Sequence, residues 1–270
     1  MIFSISLVAE KIFTLGPLPV TNSLLTTWLG VILTSLLFIL GMRKKSIIPH
    51  GTQVVLESIY TFFLNLCENV LGEKKLAEKA VPFIATLFIF VFTTNIFEVI
   101  PGVGSIGFFE HQEIQAQEIP SPEIQNEHTQ EENAERFIPL FRPGSADLNL
   151  TVALALISVI TVQVVGLKTL GFGYLKKFFN FSNPINFFVG ILELISEFAK
   201  IISFSFRLFG NIFAGEVLLT VILMLVPYFV PIPFYGLELF VAVIQAFVFA
   251  MLTLVFMKIA MTSHSGEEHH

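Results

Sequence analysis

Apolar runs of about 20 residues recur along the chain, separated by short charged or proline- and glycine-bearing breaks. A bilayer core about 30 Å thick takes roughly 20 helical residues to cross, so each run reads as a membrane helix. The first extends from about Leu24 to Gly41, is entered through Gly16-Pro17-Leu18-Pro19, and stops at Arg43-Lys44-Lys45. The second runs from about Val81 to Ile100 and stops at Pro101-Gly102; the third is about Leu148 to Leu167. The fourth occupies Pro184 to Val226. The segment from Pro227 to Pro233 predicts a turn, and a fifth run follows from about Leu237 to Met261. Between the first two, residues 52–72 set Val54, Val55, Ile59, Phe62, Phe63 and Leu66 among Gln53, Glu57, Asn65 and Glu68. That spacing predicts an amphipathic helix lying in the interface. The fold class is therefore an all-α polytopic membrane protein. It has about five membrane segments plus one amphipathic interfacial helix, in a single membrane domain over residues 1–270.

The fourth run is too long for an upright helix. Its 43 residues hold no breaker except isolated Gly190, Gly210 and Gly215, and would measure roughly 64 Å as a helix. Against a core of about 30 Å it must tilt steeply, lie partly in the plane, or break near Gly210. With the last run it forms a long, steeply tilted hairpin.

Residues 103–146 break the pattern. Eight glutamates stand between Glu110 and Glu135, with several glutamines and few large apolar residues. Such a segment buries too little surface to fold by itself and reads as a mobile acidic loop. Basic residues gather elsewhere, at Arg43, Lys44, Lys45, Lys74, Lys75 and Lys79, and again at Lys168, Lys176 and Lys177. The positive-inside rule puts those segments in the cytoplasm and the acidic loop outside. The N-terminus is then outside and the C-terminus inside.

Composition agrees. The chain is 54% hydrophobic and 13% charged, and the net charge of −6 comes mostly from the acidic insert. One cysteine, Cys67, excludes an intramolecular disulfide and a cysteine metal site. Residues 1–20 carry no basic start followed by a sustained apolar core, so no cleaved signal peptide is expected. The six histidines show no metal-binding spacing. No phosphate-binding glycine loop, nucleophile elbow or basic nucleic-acid patch occurs. No cofactor, no metal and no nucleic-acid partner is expected.

The chemistry concentrates on a few polar residues in apolar runs. Arg207 is the most telling. A guanidinium at membrane depth costs roughly 2.5–3.5 kcal/mol on insertion scales, and it cannot escape by losing its proton. On a helical wheel with Arg207 at zero, Lys200 falls at about 20°, Glu193 and Asn211 at about 40° and Glu197 at about 80°. Glu216 falls at about 180°, on the opposite face. In the last run Glu238 and Gln245 stack two turns apart, about 10 Å along the axis. Other runs contribute Asn95 and Glu98, three apart on one face, and Asp147, Asn149 and Gln163. The plainer alternative for Glu193, Glu197 and Lys200 is a solvated interfacial stripe. For Asn95, Glu98, Asp147, Asn149 and Gln163 it is capping or interhelical hydrogen bonding. A lone carboxylate in lipid must be paired or protonated, which singles out Glu216 and Glu238.

At these residues a resemblance emerges. The stretch from Ser203 to Glu216, SFSFRLFGNIFAGE, resembles the signature of subunit a of rotary F-type ATP synthases. So does Glu238 to Phe249, ELFVAVIQAFVF, and so do Pro19 to Trp28, Thr94 to Gly102, and Arg142 to Asn149. The likeness covers nearly the whole chain apart from the acidic insert. It implies a stator that forms two aqueous half-channels beside a rotating c-subunit ring and couples proton flow to rotation. The c-ring, the b-subunit peripheral stalk and the rest of the F1Fo complex are the implied partners, besides the lipid bilayer. Arg207 then matches the arginine that discharges the passing ring carboxylate and separates the half-channels. Glu216, Glu238, Gln245 and Asn211 match the proton path. Glu193, Glu197, Lys200, Asn95, Glu98, Asp147 and Asn149 would serve a second half-channel or polar support. Many relatives place a histidine opposite a glutamate at positions 216 and 238. Here both are glutamates, and the expectation is that they share one proton. The chain would be no enzyme itself, and would lie in a bacterial inner membrane, with a mitochondrial inner membrane or a thylakoid as the alternative. The competing readings are a stand-alone ion channel or secondary transporter, which would conduct without partners, and an Na⁺-coupled version of the same subunit. The absence of an internal repeat weighs against inverted-repeat transporters.

Overall fold

A computed structural model describes residues 9–16, 18–41, 51–100, 103, 106–112, 134–178 and 183–262. The basic run at 43–45, His50, most of the acidic insert and the histidines of the tail lie outside them, so the expected mobility of the insert does too. Six long apolar helices form the molecule: α1 (Asn22–Gly41), α2 (Thr52–Leu71), α3 (Lys74–Val99), α4 (Leu148–Leu170), α5 (Pro184–Leu225) and α6 (Pro231–Met261). All six have the length and apolarity to cross a membrane. The sequence assigned α2 to the interface; by length and composition it equally fits a crossing. It packs on α3 and α6 through Phe63, Cys67 and Leu71 while Val54, Val55 and Phe62 stay exposed. Gly72 ends it in the left-handed region (φ 80°), where a residue without Cβ fits, and its N–H bonds back to Glu68.

Three helix ends differ from the apolar pattern. Helix α3 begins at Lys74, because Lys74, Lys75, Glu78 and Lys79 are good helix formers that extend it beyond its apolar part. Helix α5 runs unbroken through Gly210, which removes the option of a break there and leaves a rod of 42 residues. Helix α6 begins at Pro231, six residues before the apolar run was expected to start. Pro231 and Pro233 sit in the first turn, where no intrahelical N–H is needed. The α5–α6 turn shrinks to 226–230 and includes Phe229 at a positive φ of 60°.

Two short ribbons escaped the hydropathy pattern. Lys11–Leu15 (β1) pairs antiparallel with Leu18–Thr21 (β2) ahead of α1, and Gly107–Gln112 (β3) pairs with Ala134–Pro139 (β4). The second ribbon forms the two stems of the acidic insert.

Helices α3 and α6 pack most extensively, and α4 lies against α5 and α6. The buried stripe of α6 includes Ala242, Ala246 and Ala250, spaced four apart so that neighbouring backbones approach closely. Phe204 of α5 fills the adjoining space, with its ring 5.0 Å from that of Phe249 and 5.6 Å from that of Phe256. A second core joins Phe63, Cys67 and Leu71 to Val81, Ile84, Leu254 and Met257. Outward faces are large and apolar; on α5 they include Ile185, Phe188, Phe198, Ile202 and Phe206.

Candidate functional site

At one end of the bundle, residues 139–147 form a strap over the start of α1, the end of α3 and the side of α5. Short hydrogen bonds tie it down. Asn22 Nδ2 donates to the Pro139 carbonyl (3.2 Å), and the Arg142 backbone N–H donates to Thr26 Oγ1 (3.1 Å). Ser145 Oγ donates to Asn95 Oδ1 (2.6 Å). Ser23 Oγ donates to Asp147 Oδ2 (2.8 Å), while Asp147 Oδ1 accepts the backbone N–H of Asn149 and so caps α4. The strap places the Arg142 side chain on Glu216 of α5. Nε donates to Oε1 (3.0 Å) and Nη2 to Oε2 (2.9 Å), the two-point geometry that a guanidinium offers a carboxylate. Arg142 is 4% exposed and Glu216 23%.

Two more carboxyls lie beside this pair. Glu238 of α6 packs against Gly215: a Cβ built there would stand 2.5–2.7 Å from its three carboxyl atoms, so the carboxyl occupies the space that a side chain at 215 would need. Glu98 of α3 lies within electrostatic range of both Glu238 and Glu216. Glu98 Oε1, Glu238 Oε2 and Asn95 Nδ2 are buried with no hydrogen-bond partner among the described residues.

Farther along, Asn211 Nδ2 of α5 donates to Gln245 Oε1 of α6 (2.7 Å), joining the two helices of the hairpin. Arg207 lies one turn away. Its Nη2 donates a long bond to Ser203 Oγ (3.4 Å), and its guanidinium carbon stands 6.0 Å from the Phe204 ring centre. Its Nη1 is buried without a partner, and among the described residues it forms no ion pair. Gln245 Nε2 is likewise buried and, among the described residues, unpartnered.

The opposite end holds a closed network. Tyr174 Oη donates to Gln163 Oε1 (2.6 Å), Gln163 Nε2 donates to Glu197 Oε2 (2.7 Å), and Lys200 Nζ donates to Glu197 Oε1 (2.7 Å). Lys200 also stands 4.8 Å from the Phe256 ring centre, and Lys177 pairs with Glu193. Glu197 is buried here, which sets it apart from a solvated stripe. Lys258 donates to the Leu71 carbonyl (2.8 Å), placing a positive charge at the C-terminal end of α2.

The residues singled out by sequence thus fall into three groups. Asn95, Glu98, Glu216 and Glu238 meet at the strap, with Asp147 and Asn149 serving its cap. Arg207, Asn211 and Gln245 lie in the middle, and Glu193, Glu197 and Lys200 at the far end. Glu216 faces away from Arg207, as the wheel required, but its partner is Arg142. Sequence reasoning passed over Arg142, Tyr174 and Gly215. Arg142 lies in the last stretch of the acidic insert and reads as a loop charge; its one signal was the RPGSADLN stretch. Among the described residues no group of histidine, cysteine and carboxylate side chains could hold a metal ion.

The sequence matches the family described as ATP synthase A chain over residues 24–258. It is 33% identical to ATP synthase subunit a of Moorella thermoacetica across 91% of this chain and 93% of that one. It is 34% identical to ATP synthase subunit a of Gloeobacter violaceus, across 95% and 89%. The corresponding Campylobacter jejuni protein is 32% identical over 84% of each chain. With six apolar helices, the arginine on the long α5 and the glutamine on α6 in one frame, the chain belongs to the ATP synthase subunit a family.

Proposed function

We propose that this chain is the proton-translocating stator of an Fo motor, forming two aqueous half-channels against a ring of c subunits and coupling proton flow to rotation. As a member of its family it is a multi-pass protein of the bacterial plasma membrane, engaged in ion transport for ATP synthesis. With α2 kept at the cytoplasmic interface and the other five helices crossing, its N-terminus lies outside and its C-terminus in the cytoplasm, in keeping with the lysines at 74, 75 and 79 and at 168, 176 and 177. The b-subunit peripheral stalk and the catalytic head complete the complex; nucleotide chemistry belongs to the head.

The observation that carries this reading is the unsatisfied guanidinium of Arg207. It sits on a helix of 42 residues whose outward face is apolar, with an Nη1 that has no partner among the described residues. A permanent cation left without a counter-ion suits a site where an anion arrives from another protein. A ring carboxylate brought beside Arg207 is stabilised in its charged form and gives up its proton. Arginine itself cannot pass that proton on. Gln245 and Asn211, bonded to each other a turn away, fix the polar surroundings of that encounter. Glu98 and Glu238 supply carboxyls with open oxygens toward the strap. The network of Glu193, Glu197 and Lys200 is polar support for the early part of α5.

The test is Arg207→Ala in the assembled complex. Proton-driven ATP synthesis is expected to vanish while the c-ring, b subunits and head still copurify with the chain. Retained synthesis would sink the mechanism, and conduction by the purified chain alone would favour a free-standing channel. Replacing H⁺ by Na⁺ in the driving gradient checks the coupling ion, with H⁺ expected.

A further inference from the structure

We propose that Arg142 takes Glu216 out of the proton traffic: the pair is a fixed latch between strap and α5, and proton exchange at this end falls to Glu98 and Glu238. The inference rests on the channel reading above and assigns its carboxyls separate tasks.

The geometry divides them. Both oxygens of Glu216 are occupied by donors of one guanidinium. A carboxylate gripped at both oxygens by one guanidinium is fixed in place, and only the outer lone pairs of its oxygens stay free, so handing a proton on would mean giving up part of the pair. Breaking it would require Arg142 to swing away. Its backbone is bonded to Thr26, and the strap on either side is held by Asn22, Asn95 and Ser23. Arg142 is buried, so a released guanidinium would give up the Glu216 carboxylate in a setting with little water. Glu98 and Glu238 are arranged differently. Each keeps one buried oxygen with no partner, and they come from facing helices that form the most extensive contact in the molecule. An acid that loads and unloads a proton needs such an open oxygen. The expectation that Glu216 and Glu238 share a proton gives way to a pairing of Glu238 with Glu98, with the Arg142–Glu216 ion pair as their fixed neighbour. Gly215 links the two parts, because it gives the Glu238 carboxyl its space one residue before Glu216.

The experiment is a double substitution, read as passive proton conduction through Fo in membranes stripped of the catalytic head. Glu216→Gln alone takes this carboxylate away from the buried Arg142 and should lower conduction. Arg142→Gln with Glu216→Gln replaces the ion pair by two amides that can still bond. It should restore at least about a third of the unaltered rate, since cost and rescue belong to the pair. Glu238→Gln and Glu98→Gln should have no such rescue. A double variant below about a tenth of the unaltered rate, in a complex that still assembles, overturns the proposal, because position 216 would then need an acid. Arg142→Glu with Glu216→Arg repeats the reading with the latch reversed. The unaltered complex gives an answer independent of folding: a hydrophobic carbodiimide reacts with protonated membrane carboxyls. Mass spectrometry should find Glu98 or Glu238 modified and Glu216 untouched; modification at Glu216 overturns the proposal. Coupled transport surviving Arg207→Ala would instead refute the channel reading itself.

Discussion

Arg142 and Arg207 are both guanidiniums set among apolar helices, yet one is saturated and the other is left open. Arg142 gives two short bonds to a single carboxylate, while Arg207 gives one long bond to a hydroxyl and keeps Nη1 buried and bare. The difference separates charge used to hold a structure from charge kept for a partner. Buried charges in a finished fold are paired. One that is not paired either destabilises the chain or meets its counter-ion elsewhere. The nine-residue step from Arg207 to Glu216 carries α5 through about two and a half turns, so one helix serves both uses on opposite faces. The strap can reach only the face that carries Glu216.

The sharpest way to break this contrast is to truncate each arginine. Arg207→Ala should abolish coupled ATP synthesis, a loss of about 100-fold or more of the kind expected when a transition-state charge is removed. The thermal stability of the detergent-solubilised complex should be unchanged or slightly higher, because the one bond lost is a long one to the exposed Ser203 hydroxyl. Arg142→Ala should cost about 3 kcal/mol, as breaking a buried pair does. The cost would be seen as a lower midpoint for loss of the assembled complex on native gels. If the two variants exchanged these phenotypes, the division between latch and open cation would be wrong.

Gly215→Ala tests the boundary between the two regions. The added methyl would stand 2.5–2.7 Å from the Glu238 carboxyl atoms, so that side chain must move. Conduction should fall roughly tenfold, as about 1 Å of misplacement can cost that or more. The shorter carboxylate of Glu238→Asp in the same chain should recover part of the loss. Unchanged conduction in Gly215→Ala would remove the Glu238 position from the path. A smaller effect is expected at Asn211 and Gln245. A double-mutant cycle with leucine at both positions should give a coupling of about 0.6 kcal/mol in stability, the average for hydrogen bonds between membrane helices.

These residues differ in how far the sequence disclosed them. The six helices were legible because lipid forces long apolar runs, and a 43-residue run had no room to be anything but one long or broken rod. Arg207, Glu216, Glu238 and Gln245 stood out for the same reason: each is a costly exception in its run. Arg142 was hidden because it lies near the end of the acidic insert, where charge is cheap and tells nothing about burial. The two β-ribbons were hidden because they are only four to six residues long, below the reach of hydropathy periodicity. Gly215 reads as a helix-interior glycine until the carboxyl from α6 is placed against it. What pairs with what is a long-range fact. The strap must fold over α1 before Arg142 has a partner, and no local pattern encodes that closure.

The far network sets the lower bound of the comparison. Its bonds are closed: Glu197 accepts from both Gln163 and Lys200, and Gln163 in turn accepts from Tyr174. Nothing there resembles the open oxygens near the strap, so the group should behave as framework. Tyr174→Phe removes one hydroxyl and leaves Gln163 Oε1 without its donor, a loss of about 1 kcal/mol for a part-buried neutral hydrogen bond. Proton conduction should stay near the unaltered value, because Glu197 keeps both of its donors. A modest drop in unfolding midpoint with normal conduction would fit a supporting role for Glu193, Glu197 and Lys200. A collapse of conduction at unchanged stability would mean that the Gln163–Glu197 bond is itself on the proton route. The two ends of the bundle would then be alike in function despite their different closure.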